Sequence, residues 1–289
     1  MKKLISVILA SAILFALCPY AFATNDVYCR INDATVTSVN TSLPGIQTVG
    51  DTTYHIGVGE VLSYDSHEDK ATGSMPGNYN SLAVGSYDWV KHSNETRPVF
   101  TKNSNDTSAL FCLNKGTSAQ MAYYTFNKGT GLSGKFSVEY KVKAESETAL
   151  DLRFISTGSS AYGWDNTYQI IYAFMKFYEN DFVFQNATRN EDNAKDTVTG
   201  YHTYKPAFNT WITVRLDIDT VALSYDVYAN GEKLGTDLPF HYATLAENDR
   251  NDSQKASTNL GFMRVREAGL GGNVYFDDIA VYKHDSATI

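Results

Sequence analysis

The chain is predicted to be all-β, with two antiparallel sheets stacked face to face. Three observations predict this. Apolar residues recur with period two along one segment after another. No stretch after the first two dozen residues sustains a 3.6-residue apolar period. Aromatic residues are abundant, with 20 Tyr and 15 Phe in 289 residues. Period two sends alternate side chains to opposite faces, so each such strand has one face to bury. Many short strands without helices bury those faces sheet on sheet, so the expected architecture is a two-sheet antiparallel jelly-roll sandwich.

The elements follow in chain order. Met1-Lys2-Lys3, an apolar run over 4–17 and Ala21-Phe22-Ala23 predict a signal peptide over 1–23, cleaved after Ala23. Leu17 stands where a lipoprotein signal wants a small residue before Cys18. No later stretch reaches the ~20 apolar residues of a transmembrane helix. The mature chain is therefore expected to be secreted, extracellular or associated with the cell surface. Neither an internal repeat nor a Pro-rich linker divides it, and residues 24–289 are read as one domain. Strands are expected near 27–31, 34–39, 52–58, 86–91, 97–102, 107–113 and 120–126. Clear alternation follows: Phe136, Val138, Tyr140 and Val142; then Leu150, Leu152 and Phe154. Residues 167–178 are apolar on both faces and suit a central strand. Ile212, Val214, Leu216 and Ile218 alternate, as do Leu223, Tyr225, Val227 and Ala229 before Asn230-Gly231, a strong hairpin turn. Leu260, Phe262 and Arg264 lead to a Gly-rich turn over 269–272, and Val274, Phe276, Ile279 and Val281 close the fold. The polar stretches 65–80, 188–199 and 245–258 are read as loops.

The formal charge is −8, and loss of the signal would remove two lysines and no acid. Phosphate would repel such a chain, which argues against a nucleic-acid partner. Beyond the signal only Cys29 and Cys112 remain. They fit one disulfide in an oxidising compartment, or two buried thiols.

Residues 211–231 (WITVRLDIDTVALSYDVYANG), 259–283 (NLGFMRVREAGLGGNVYFDDIAVYK) and 132–144 (LSGKFSVEYKVKA) resemble strands of concanavalin A-like and laminin G-like domains. The resemblance covers 85–283 best. It implies the sandwich fold and a carbohydrate-associated role of secreted bacterial type. It does not choose among lectins, carbohydrate-binding modules, glycoside hydrolases, polysaccharide lyases and adhesion modules.

Catalytic patterns are incomplete. Laminarinase-type hydrolases on this scaffold carry acids at alternate positions of one strand, so that two carboxylates flank the sugar bond. Glu-Asn-Asp at 179–181 and at 247–249 lacks the further Glu in both places, and both triplets are read as turns. No Gln-x-His triplet of alginate-lyase-type jelly rolls occurs. Neither His nor Cys has metal-ligand spacing. For binding, sugar rings stack on exposed aromatics. Trp89, Trp164 and Tyr162 lie in polar, turn-like sequence and are the expected platforms. Arg153, Arg215 and Arg264, with Arg266, are expected side by side on neighbouring strands, where guanidinium forks would suit uronate carboxylates. The plain alternative is Arg–Asp pairing across a solvated sheet. Asp277 and Asp278 are the candidates for a structural Ca²⁺, which takes oxygen ligands, or for capping loop amides.

The expected function is thus a non-catalytic, lectin-like module for a polysaccharide or cell-surface glycan. The alternatives are a lyase or hydrolase acting on the concave sheet face, and a structural or adhesion protein.

Overall fold

The computed structural model describes residues 26–29, 34–40, 45–49, 52–91, 98–102, 109–113, 120–146, 148–156, 171–178, 181–189, 196–204, 207–240 and 259–284. The chain separates into two compact units, Met1–Val58 with Asp285–Ile289, and Gly59–His284. The expected signal peptide lies outside the described residues.

In the smaller unit β1 (Asp26–Cys29), β2 (Gly45–Val49) and β3 (Thr52–Ile56) form a sheet of order β1-β3-β2. Its β1–β3 pair is parallel. No strand forms at 34–39, where the described residues turn and bend.

The remaining strands are β4 (Val58–Asp65), β5 (Asp88–Lys91), β6 (Pro98–Lys102), β7 (Ala109–Leu113), β8 (Gln120–Thr125), β9 (Lys135–Ala144), β10 (Thr148–Ser156), β11 (Ile171–Tyr178), β12 (Asp181–Arg189), β13 (Asp196–Tyr204), β14 (Ile212–Asp219), β15 (Ser224–Ala229), β16 (Glu232–Pro239), β17 (Leu260–Gly271) and β18 (Val274–His284). They build the expected all-β sandwich of two antiparallel sheets. One has seven strands in the order β13-β12-β11-β10-β17-β8-β5. The other runs β16-β15-β14-β9-β18-β7-β6, with β4 pairing on β18. Among the described residues there is no α-helix.

The alternating rows bury the faces they were expected to bury. Phe136, Val138, Tyr140 and Val142 of β9 meet Ile212, Val214, Leu216 and Ile218 of β14 and Leu150, Leu152 and Phe154 of β10 in one core between the sheets. Asn230 and Gly231 take φ of 48° and 80°, the paired positive values that a two-residue hairpin requires. Two polar expectations change. Residues 269–271 belong to β17, where Gly271 faces Thr148 of β10. Residues expected to loop within 188–199 contribute to β12 and β13.

Between β4 and β5 a strap crosses the outside of the sandwich. Gly73 N–H donates to Phe100 O at 2.7 Å and Phe100 N–H to Ser74 O at 2.8 Å, so the strap pairs with β6, the last strand of one sheet. Lys91 N–H donates to Gly77 O at 3.2 Å, and Gly77 bridges Val90 of β5, the last strand of the other. Gly73 and Gly85 have φ of 83° and 88°, which a side chain would resist, and they flank the segment between them.

Candidate functional site

The outer faces of the two sheets carry the polar side chains that the core excludes. On the seven-stranded sheet, Leu152, Phe154, Met263, Val265, Ala122 and Tyr124 enter the core. Their neighbours Arg153, Arg264 and Tyr123 therefore point outward. Strand register aligns these in one row. Arg153 faces Arg264, Arg264 faces Tyr123, and Tyr123 faces Val90. In the other direction the same row passes through Phe174, Gln185 and Tyr201. Two residues along, Arg266 stands opposite Asp151, the Arg–Asp register expected of an ordinary sheet face. Arg153 and Arg264 are different: two cations are placed directly across a strand pair, an arrangement that costs stability in itself. Both lie low in the face, 9% and 3% exposed.

One end of this row is covered. Val90, Met121, Tyr123, Ile155 and Phe262 form a second apolar cluster, on which Tyr79 and Leu82 of the strap pack. The Tyr79 ring lies 5.6 Å from that of Phe262. Lys128 Nζ stands 4.7 Å above the Tyr79 ring and donates to Leu82 O.

The eight-stranded sheet treats its arginine otherwise. Arg215 is on β14, which lies between β9 and β15, so it is not beside Arg153 and Arg264 as expected. Sequence patterning gave the outward direction correctly but not the sheet. Arg215 Nε meets Asp217 Oδ1 at 3.0 Å, and its guanidinium stacks 3.9 Å from the Tyr228 ring centre. Burial works against its charge, but Asp217, Tyr282, Glu139 and Tyr228 together outweigh it and hold its pKa above the ordinary value. Ser137 Oγ donates to Asp217 at 2.7 Å, and Tyr282 OH donates to Glu139 at 3.3 Å.

The other expected residues divide as follows. Trp89 is not a sugar platform. It is wholly buried, stacked on Phe111 with ring centres 3.7 Å apart, and its Nε1–H donates to His67 Nε2 at 3.0 Å. Its polar sequence neighbours are misleading because β5 is only four residues long. Trp164 and Tyr162 lie outside the described residues. Asp277 and Asp278 sit at a bulge of β18, where Asp278 has φ of 48° and both side chains are half-buried. Asp277 Oδ1 is 3.4 Å from His67 Nδ1, and burial raises the Asp277 pKa. Asp278 accepts from Tyr64 OH at 2.6 Å and from Lys141 Nζ at 2.5 Å. This arrangement does not fit calcium, because the Lys141 ammonium already occupies the cation's place. Among the described residues no group of three His, Cys, Asp or Glu side chains could hold a metal ion. Cys29 and Cys112 stand as thiols and do not form the expected disulfide. Cys29 Sγ lies 3.9 Å from His55 O, and burial pushes the Cys112 thiol up to about 12.

The sequence reading missed the covered end of the row, because Tyr79 lies in the stretch 65–80 read only as polar loop and Leu82 falls between that loop and the strand expected at 86–91. Its signal was two apolar residues among Gly, Asn and Ser.

No family model matches the chain, and no curated protein matches it. Solved structures that resemble it include one described with the words that prominent members of the human gut microbiota express endo-acting O-glycanases to initiate mucin breakdown. That likeness has TM-score 0.49 and 11% identity, over 78% of this chain and 100% of that one. A carbohydrate-binding module from Bacillus subtilis matches at TM-score 0.38 and 8% identity, over 68% and 95% of the two chains. A sialidase matches at TM-score 0.43 and 10% identity over 68% of this chain, and the match spans 17% of the sialidase. Among the described residues no helix is long and apolar enough to cross a membrane.

Proposed function

We propose that this chain is a secreted sandwich that binds a carboxylate-bearing polysaccharide, without cleaving it, on the outer face of the seven-stranded sheet. The observation that supports this most is the register pair Arg153–Arg264. Two guanidinium forks side by side on adjacent strands are a geometry that one anion can bridge. A carboxylate is the natural anion, because its two oxygens match the planar guanidinium fork.

Isothermal titration with polygalacturonate, alginate and hyaluronan, beside a neutral glucan, tests the reading. Binding of at least one acidic polymer is expected and of the neutral one is not. Arg153→Ala and Arg264→Ala should each weaken binding about 10- to 100-fold, from the loss of a charge-assisted pair of ~1.5–3 kcal/mol. Equal binding of neutral and acidic polymers would refute the proposal.

A second reading, a polysaccharide lyase, is favoured by one feature. The arginine row continues in register through Gln185 and Tyr201, so Arg, Tyr and Gln share one line of the sheet. Growth of ultraviolet absorbance from unsaturated uronate, during incubation with the same polymers, distinguishes the lyase from the binding module.

A further inference from the structure

The strap leaves β4 at Asp65, and two residues further on it buries His67, which is 1% exposed and has φ of 59°. The backbone there is fixed locally. His67 N–H donates to Asp65 Oδ1 at 3.0 Å, and His67 O accepts from Lys70 N–H at 2.9 Å. The ring points into the sandwich. Nε2 accepts from Trp89 Nε1–H at 3.0 Å, Nδ1 lies 3.4 Å from Asp277 Oδ1, and Asp65 Oδ2 lies 3.7 Å from Nε2. An indole nitrogen only donates, so Nε2 has to offer its lone pair. The imidazole is therefore neutral, with its proton on Nδ1 toward Asp277.

A second proton has one place to go, Nε2, where it meets the Trp89 N–H and two donors face each other. Among the described residues the acceptor near that nitrogen is Asp65 Oδ2. We infer that His67 is a proton-operated tie between the strap and β5: neutral, it holds Trp89, and protonated, it gives Trp89 up for Asp65. The surroundings suit an added proton. Asp65 on β4 and Asp277 on β18 flank the ring, with Asp278 acting on Asp277. Lys70 of the strap and Asp88 of β5 act on Asp65 in opposite directions. β6 presents the Phe100 ring, 5.8 Å away. Tyr124 of β8 feels the Asp65 charge, but burial keeps its hydroxyl protonated. Burial also holds the Asp65 and Asp277 carboxyls above their ordinary range, so this node gathers protons where exposed carboxyls have lost them.

The tie matters because β5 has four residues and ends its sheet. The contacts joining it to the strap include Trp89 to His67, Lys70 Nζ to Asp88 at 3.4 Å, and Lys91 N–H to Gly77 O at 3.2 Å. Both partners of the first are buried. When it breaks, the indole N–H is left unpaired in the core. The strap then hangs on β5 by contacts nearer the surface, so acid loosens this margin of the seven-stranded sheet.

The test follows the full chain, labelled with ¹⁵N at Trp, His and Lys, by NMR from about pH 8 to pH 4. At the upper end His67 is expected as the Nδ1–H tautomer, with the Trp89 indole proton hydrogen-bonded and protected from exchange. On acidification the His67 ring and the Trp89 indole should change in one shared titration, the indole signal moving toward the unbonded range. The Lys91 amide should then exchange about 5- to 100-fold faster, as expected for loss of one buried hydrogen bond. An Nε2–H tautomer at the upper end would overturn the inference. So would a His67 ring that stays neutral throughout, or a Trp89 signal that holds still while the ring titrates. Asp65→Asn weakens the acid-side partner and should move the shared titration to lower pH. His67→Gln keeps an acceptor of similar reach and should abolish the pH dependence of Lys91 exchange. The spectra of the unaltered protein decide the matter even if neither variant folds.

Discussion

The two outer faces of the sandwich each bury an arginine, and they do so in opposite ways. On the eight-stranded sheet Arg215 has Asp217 two residues along the same strand and Tyr228 beneath its guanidinium. The charge is answered by the strand that carries it. On the seven-stranded sheet the residue across from Arg153 is another arginine. The first arrangement cancels a charge within its own strand, while the second sets two like charges across a strand pair.

Four experiments sharpen or break this contrast. The largest effect is expected from Arg215→Ala, which leaves Asp217 without its cation. Breaking a buried pair costs about 3–5 kcal/mol. The urea midpoint should fall accordingly while glycan affinity of the folded protein stays unchanged. Loss of affinity without loss of stability would reverse the two faces. Next, Arg264→Glu gives Arg153 an opposite charge across the strands and so imitates the other face. Acidic-glycan binding should disappear while the thermal midpoint holds or rises. A smaller effect is expected from salt. Raising ionic strength from about 0.01 to 0.15 M shortens the screening length from ~30 to ~8 Å, which should weaken glycan binding several-fold and move the midpoint little.

The smallest effect concerns pH at the end of β4. Burial raises the pKa of Asp65 and of Asp277 above the ordinary 3.8. Between that value and the raised folded values, the folded protein holds more protons than the unfolded one. These two groups therefore make stability fall as pH rises through that window, and acidification restores it. Thermal midpoints measured from about pH 4 to neutrality should show a shallower dependence in Asp277→Asn.

Much of the fold was legible because the core strands alternate strictly. The rows at Phe136, Leu150, Ile212 and Tyr225 needed only period two, and Asn230-Gly231 only turn chemistry. β13 was not, because its Thr, Gly and His residues look like loop in the absence of the sheet that recruits them. The site was half legible. Outward direction follows from alternation, so the sequence put Arg153 and Arg264 on an outer sheet face, where they stand. Sheet membership depends on long-range strand order, so Arg215 was grouped with them although β14 pairs with β9 and β15. Trp89 was misjudged because the residues around it are polar, whereas its burial is set by Phe111, Tyr124 and Phe276 from distant strands.

The strap has one more consequence, for solubility. Sheets of this kind end in strands whose free amides and carbonyls invite another molecule to add its own strand. Here Ser74 and Gly73 occupy β6, and Gly77 occupies β5, so a single segment blocks a margin of each sheet. Shortening it would open two templates for intermolecular pairing at once, and the resulting protein should cluster through backbone bonds even with its interior intact.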